Sequence, residues 1–304
     1  MKIVLLNVLL FIAVVPEPVI SSTLVKQATG GAASYPLTDA FLAATGITGS
    51  ANIQALQDFE TGLTTYSLLS KFTAIYPLMG GNSTTTSYNF IDTSSYRITW
   101  NGTIDYYING VRTANGGGAY GDTGIPGSAL SVSEGHQCAW INTNEAPAAL
   151  GTGDYGSDWG CGGDPSNPDL SQYYFSVAQG AAENALIQAW PVNPSITAAA
   201  GGIKVSPYPT DRTGIWISTR QSSTDNALYR NGSTYATTST SNGSRSYSSG
   251  LTTVRILSRN EGGDTSPRRQ GFHTIGAGSG KGLTSTQATD LYNLITAFNT
   301  TAGR

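Results

Sequence analysis

The sequence predicts a mainly β protein: an antiparallel β-sandwich preceded by a helical N-terminal segment and closed by a C-terminal helix packed on the sandwich. Three observations predict it. From about residue 83, short runs rich in Tyr, Thr, Ile and Val alternate with clusters of Gly, Asn, Ser and Pro. Two Asn-Gly pairs sit between such runs, in "YYINGVRT" and "LYRNGSTY", where a type I′ turn would match strand twist. Charged residues are only 12% of the chain, about half the usual share of roughly 25%, so Ser, Thr, Asn and Gly must supply the polar surface.

The chain opens on Met1-Lys2 and the apolar run "IVLLNVLLFIAVV". Two readings stay open there. One is a signal peptide, with a positive start and an apolar core. The other is an apolar segment kept in the mature protein, since "PEPVISS" follows without an A-x-A pattern. Either way the run is too short to span a bilayer as a helix. "YPLTDAFLAATG" then reads as a short amphipathic helix stopped at Gly46. Ile53, Leu56, Phe59, Leu63, Tyr66, Leu69 and Phe72 recur every three to four residues, which predicts one or two further helices with a break near Gly62.

"SYNFID", "YRITW", "IDYYING", "GIWISTR", "NALYRNG" and "TTVRILSR" read as strands. In "GIWISTR", Ile215, Ile217 and Thr219 fall on one face, with Trp216 and Ser218 on the other. Trp100, Trp140, Trp190 and Trp216 lie in strand-like runs and are expected in the core or on sheet faces. "STSNGSRSYSSG" is an exposed polar loop or hairpin tip, and "NTNEAPAALGTGDYGSDWGCGGDPSNPD" is the longest stretch without periodicity. The last element is the best specified. Thr284 is an N-cap with Gln287 three residues on, a capping box; Leu283 and Ala288 can staple. Leu291, Leu294, Ile295 and Phe298 share one face.

Before that helix stands "GAGSGKG", which invites a nucleotide reading. A phosphate-binding loop needs Gly, four residues, then Gly-Lys and Ser or Thr. Here Gly282 follows Lys281, and Ile275 stands where the first Gly belongs. No alternation of strand and helix surrounds it. With 16 basic against 19 acidic residues there is no basic stripe either, so nucleic acid is excluded as a partner. Cys138 and Cys161 are the two cysteines and suit either a disulfide or two buried thiols. With His136 and His273 the only histidines, no zinc ligand set is recognisable.

Several of these segments resemble a family. "GLTSTQATDLYNLITAFNTTAGR" is similar to the closing segment of tailed-bacteriophage structural proteins with a concanavalin A-like (laminin-G-like) jelly roll. "TGIWISTRQSSTDNALYRNGSTYAT" resembles their penultimate strands, and "NGGGAYGDTGIPGSAL" an earlier strand and turn. "AFLAATGITGSANIQALQDFETGLTTYSLLSKFTAIYPLMGG" resembles the helical part before the sandwich, and "MKIVLLNVLLF" the apolar start, which favours its retention. The resemblance implies residues 1–80 as an apolar segment and helical anchoring region, and 81–304 as the jelly roll with its terminal helix. It implies a virion surface role (tail fibre, receptor-binding protein or capsid decoration), other virion proteins as partners, and a homo-oligomer. It supplies no catalytic residue.

Asp58 and Glu60 have the spacing of a glycosidase pair but lie in helical sequence, and Glu134, Glu145, Glu183 and Glu261 are isolated. Ser133 and His136 lack a nucleophile elbow. His136 and His273 read as sheet residues. Asp154, Asp158, Asp164 and Asp169 gather in the long loop, where oxygen ligands can hold Ca²⁺; no other cofactor is expected. In the same loop Trp159 and Tyr155, with Asp158 beside them, suit contact with a glycan, an aromatic face stacking on a sugar ring. The expectation is therefore a non-enzymatic virion protein that touches host glycans. The alternatives are a secreted or cell-surface lectin-like protein, or a glycoside hydrolase of the same fold.

Overall fold

The computed structural model describes residues 33–114, 118–130, 134–144, 158–161, the backbone of 173–175, 203, 211–239, 253–258 and 265–304. The apolar start, Trp190, Tyr155, Asp154, Asp164 and Asp169 lie outside them. Residues Tyr35–Arg304 belong to one compact unit. Its elements are α1 (Pro36–Thr45), α2 (Ser50–Thr65), β1 (Ala74–Tyr76), β2 (Thr99–Asn101), β3 (Ile104–Tyr107), β4 (Gly110–Thr113), β5 (Tyr120–Pro126), β6 (Gly135–Ile141), β7 (Trp159–Cys161), β8 (Tyr173–Phe175), β9 (Gly214–Ser222), β10 (Asp225–Arg230), β11 (Ser233–Thr238), β12 (Thr253–Ile256), β13 (Gln270–Gly276) and α3 (Ser285–Thr301).

Two antiparallel sheets form the sandwich. The larger runs β11-β10-β9-β6-β13-β4-β3, with β1 also paired to β13, and the smaller runs β2-β5-β12-β7-β8. Alternation along each strand decides which side chain enters which core. Ile104, Val111 and Ile275 of the larger sheet meet Ile125, Val254, Ile256 and Cys161 of the smaller one in the sandwich interior. Cys138, Ile215, Ile217 and Phe272 point the other way and pack against Phe41, Leu56, Phe59, Leu63, Leu291, Ile295 and Phe298 of the helices. The molecule thus has three layers: helices, larger sheet, smaller sheet. The helices before residue 80 share this core with the sandwich. Cys138 and Cys161 occupy different cores, are both buried, and form no disulfide.

Local chemistry accounts for most elements, and contacts between elements account for three departures. Thr284 accepts from the Gln287 N–H at 3.2 Å while Gln287 accepts from the Thr284 N–H at 3.1 Å, so α3 starts at the expected capping box. The second hairpin turns on Asn231 and Gly232, both at positive φ (50° and 76°), as a type I′ turn requires. The first hairpin does not turn on Asn-Gly. Tyr107 pairs with Gly110, leaving Ile108 and Asn109 as the loop. Gly110 (φ 143°) serves another need, because a Cβ there would overlap the Gln270 carbonyl of the neighbouring strand. The predicted break at Gly62 is also absent: α2 runs through it, and a side chain there would overlap Leu294 of α3. Gly62 marks close helix–helix approach, not a helix end. "SYNFID" is a loop, not a strand. Asn89 accepts from the N–H groups of Ile75 and Ile91 at 3.0 and 3.1 Å, so a side chain takes the place of a ladder.

Candidate functional site

Where the helical layer ends, a strip of the larger sheet stays open. Arg304, just past α3, closes that layer: its guanidinium lies over Trp140 (5.3 Å to the centroid) and donates to the carbonyls of Pro77 and Gly271 at 2.9 and 2.6 Å. Beyond it the strand register builds a row. Asp105 of β3 pairs with Arg112 of β4. Gln270 pairs with both Val111 and Ile141, so the preceding Arg269 stands beside Arg112 on one side and Asn142 on the other. A backbone bond from Asn142 N–H to Arg269 carbonyl, 2.9 Å, confirms the last step. Ile104, Tyr106 and Val111 face the sandwich interior, so Asp105, Tyr107 and Arg112 face the helical side. Trp140 packs against the helical core, which puts Asn142, two residues on, on that side as well.

The side chains in this row are mutually positioned. Arg112 Nε donates to Asp105 Oδ2 at 3.0 Å, with the two side chains 34% and 38% exposed. Arg269 Nε donates to Asn142 Oδ1 at 2.9 Å, and the Asn142 amide donates to the Asn109 carbonyl at 2.7 Å, which fixes its orientation. The Arg112 and Arg269 guanidiniums lie 5.5 and 4.9 Å from the centre of the Tyr107 ring, within cation–π range. Ile108, at the hairpin tip, is 76% exposed. The strip therefore offers one carboxylate, one amide, two planar guanidiniums, an aromatic platform and an apolar tip, all half-buried or exposed. Such a mixture pairs planar polar groups that can hydrogen-bond with an aromatic face that can stack, as ligand sites commonly do.

The residues singled out in the sequence sit elsewhere. Asp158 and Trp159 are buried between the sheets, at 0% and 2% exposure. Trp159 stands edge-on to His273 (5.8 Å) and presents no ring face to a sugar. Asp158 accepts from Arg268 Nε and Nη2 at 3.0 and 2.9 Å, from Ser266 Oγ at 2.6 Å and from Gln270 Nε2 at 3.0 Å. Glycan contact through this pair is therefore corrected: the two belong to a polar pin joining β7 of one sheet to β13 of the other. The same commitment removes Asp158 from the calcium set, and its companions are outside the described residues. Among the described residues no three His, Cys, Asp or Glu side chains are grouped as a metal site would need.

His273 extends the pin. Gln270 gives its amide N–H to Asp158, so its Oε1 accepts from His273 Nε2–H at 2.5 Å. Burial holds the His273 pKa down at about 3. His136 is likewise buried and lowered to about 4, its Nδ1–H donating to the Lys281 carbonyl at 2.7 Å. Both are sheet residues. The glycine-rich "GAGSGKG" cradles a carboxylate of the chain itself: Glu134 accepts from Ser279 Oγ at 2.9 Å and from the Gly280 N–H. These bonds, the Gly280 one first, hold its pKa below the usual carboxylate range. Lys71 and Lys281 cross-tie the same loop, donating to the Gly280 and Ser70 carbonyls at 2.8 and 2.6 Å.

No family model matches the chain, and no curated protein does. Solved structures align with it. Domain 4 of an extracellular arabinanase from Geobacillus stearothermophilus, in complex with arabinotriose, is 16% identical over 73% of this chain and 98% of that one, with a TM-score of 0.47. A mutant Trypanosoma rangeli sialidase displaying trans-sialidase activity is 10% identical over 80% and 39%, with a TM-score of 0.48. The binding domain of botulinum neurotoxin serotype D is 11% identical over 75% and 52%, with a TM-score of 0.43. The chain thus spans about two fifths of that sialidase and half of that toxin domain. The expectation of a protein that is not an enzyme is corrected here, since an arabinanase domain and sialidases stand among the similar structures. At these scores neither substrate nor reaction is transferred.

Proposed function

We propose that this chain is a carbohydrate-recognition protein that binds glycan on the open strip of its larger sheet. Of the roles the sequence raised, this was the alternative to a virion part. A single observation carries it: Asp105, Arg112, Arg269 and Asn142 form one cross-strand row over Tyr107, oriented by their own hydrogen bonds and left accessible. Side chains already held in place lose little entropy on binding, which suits weakly bound, hydroxyl-rich ligands.

Glycan-array screening of the full chain tests the reading, with array hits followed by titration calorimetry. Binding should be retained by Trp159→Phe, which keeps the buried ring, and reduced about tenfold by Tyr107→Ala, which removes the platform. Chains bearing both strip changes Tyr107→Ala and Asn142→Ala that bind as tightly as the parent would refute it. Measuring new reducing ends in the same incubations reads hydrolysis directly.

A further inference from the structure

The strip has an uneven charge. Arg112 and Arg269 are direct cross-strand neighbours on one face, an arrangement that costs free energy when like charges oppose each other. The carboxylate of the row, Asp105, sits on the far side of Arg112 and bonds to that residue. The side-chain partner of Arg269 is the neutral Asn142 amide. Farther along the sheet, Arg230 lies on the other face, over Trp216, and has its own carboxylate, Asp211 at 2.8 Å. On that same interior face, Arg268 is held by Asp158. Among the described residues the row thus holds two guanidiniums and one carboxylate, and Arg269 is the guanidinium whose bonded side chain is neutral.

Its geometry suits an incoming acid. The Nε of Arg269 is occupied by Asn142, while its two Nη groups make no hydrogen bond among the described residues. The ring of Tyr107 and the fixed Asn142 amide hold the guanidinium plane in place. A planar, pre-oriented pair of N–H donors matches the two oxygens of a carboxylate or sulfate. Partial burial weakens solvent screening of that contact.

We propose that the glycan bound by this strip is acidic, and that its carboxylate or sulfate group docks on Arg269, with Arg112 adding long-range attraction. This rests on the carbohydrate reading above and narrows it to a ligand class.

The test compares matched ligands against the full chain by calorimetry: oligogalacturonate with its methyl ester, and dextran sulfate with dextran. The expected result is that at least one acidic form binds about tenfold tighter than its neutral counterpart. Which pair shows the difference separates carboxylate from sulfate. Arg269→Ala should abolish the preference. Arg269→Lys keeps the charge but not the planar fork, and should lose most of it while leaving the thermal midpoint near that of the parent. Arg97→Ala, an exposed arginine stacked on Tyr88 away from the strip, should leave it intact. Equal affinity for acid and neutral forms overturns the acidic class and leaves carbohydrate recognition standing. Acid preference that survives Arg269→Lys and Arg269→Ala alike, or that falls equally with Arg97→Ala, overturns the assignment to this residue. Absence of binding to every glycan, in array and calorimeter, removes the underlying reading as well.

Discussion

Asp158 shows how a residue's neighbours, not its type, decide its role. In the sequence it is one of several aspartates in a glycine-rich loop. In the fold it lies at 0% exposure with a bidentate guanidinium, a hydroxyl and an amide on its two oxygens. Such a carboxylate has no capacity left for a ligand, and removing it would take the bidentate carboxylate away from the buried Arg268 guanidinium. Asp158→Ala should therefore destabilise the chain by about 3–5 kcal/mol in urea unfolding. A loss below about 1 kcal/mol would mean the pin is hydrated and contributes little. Trp159 follows the same logic. Its burial depends on β7 pairing with β12, Trp159 opposite Ile256, a long-range contact that local composition does not encode. Exposed and buried tryptophans look alike in a list of residues.

At the scale of elements, the α2–α3 contact makes a prediction with an unusual sign. Replacing Gly by Ala inside a helix usually stabilises it by up to about 1 kcal/mol. At Gly62 the opposite is expected, because the new methyl would overlap Leu294 across the interface. Gly62→Ala should cost about 1–3 kcal/mol by overpacking, and Gly62→Ala with Leu294→Ala should recover part of it in a double-mutant cycle. An additive cycle would place the strain elsewhere. Thr284→Ala, which removes the cap, should cost about 1 kcal/mol in the same assay. These elements also show what local sequence can specify. The capping box, the apolar face of α3 and the Asn231–Gly232 turn are short-range patterns, and each is observed as read. The open strip was not legible. A turn centred on Asn109-Gly110 would set Tyr107 opposite Arg112 and Asp105 opposite Ala114. The observed loop is one residue earlier, and that shift creates the Asp105–Arg112 pair. The cause is the Gln270 carbonyl pressed against Gly110, a contact from the other end of the chain. Register inherits long-range packing, so a site built across four strands is hidden until the strands are paired.

The whole molecule responds to acid through its two histidines. His136 faces Phe72 edge-on and the Lys281 carbonyl on the helical side, and His273 lies in the sandwich interior by Gln270 and Trp159. One therefore reports on each layer of packing. Burial lowers their folded pKa values to about 4 and about 3, against 6.5 unexposed to such surroundings. The sign follows from proton counting. Below pH 6.5 the unfolded chain binds protons at both rings while the folded chain does not, so stability falls with pH through the window from 6.5 down to about 4. Each ring contributes a slope approaching about 1.4 kcal/mol per pH unit within it. Above pH 7 both states are neutral and this contribution is flat. Glu134 adds to the loss at lower pH, as its depressed carboxyl is protonated and releases the loop before α3. Urea unfolding at pH 4.5, 5.5, 6.5 and 7.5 should show a midpoint nearly constant between the upper two values and falling steeply below them. His273→Gln keeps a donor toward Gln270 without the titration, and should remove about one proton's share of that slope. A slope that this variant leaves unchanged would mean His273 takes up its proton in the folded sandwich, and that water reaches the pin between the sheets.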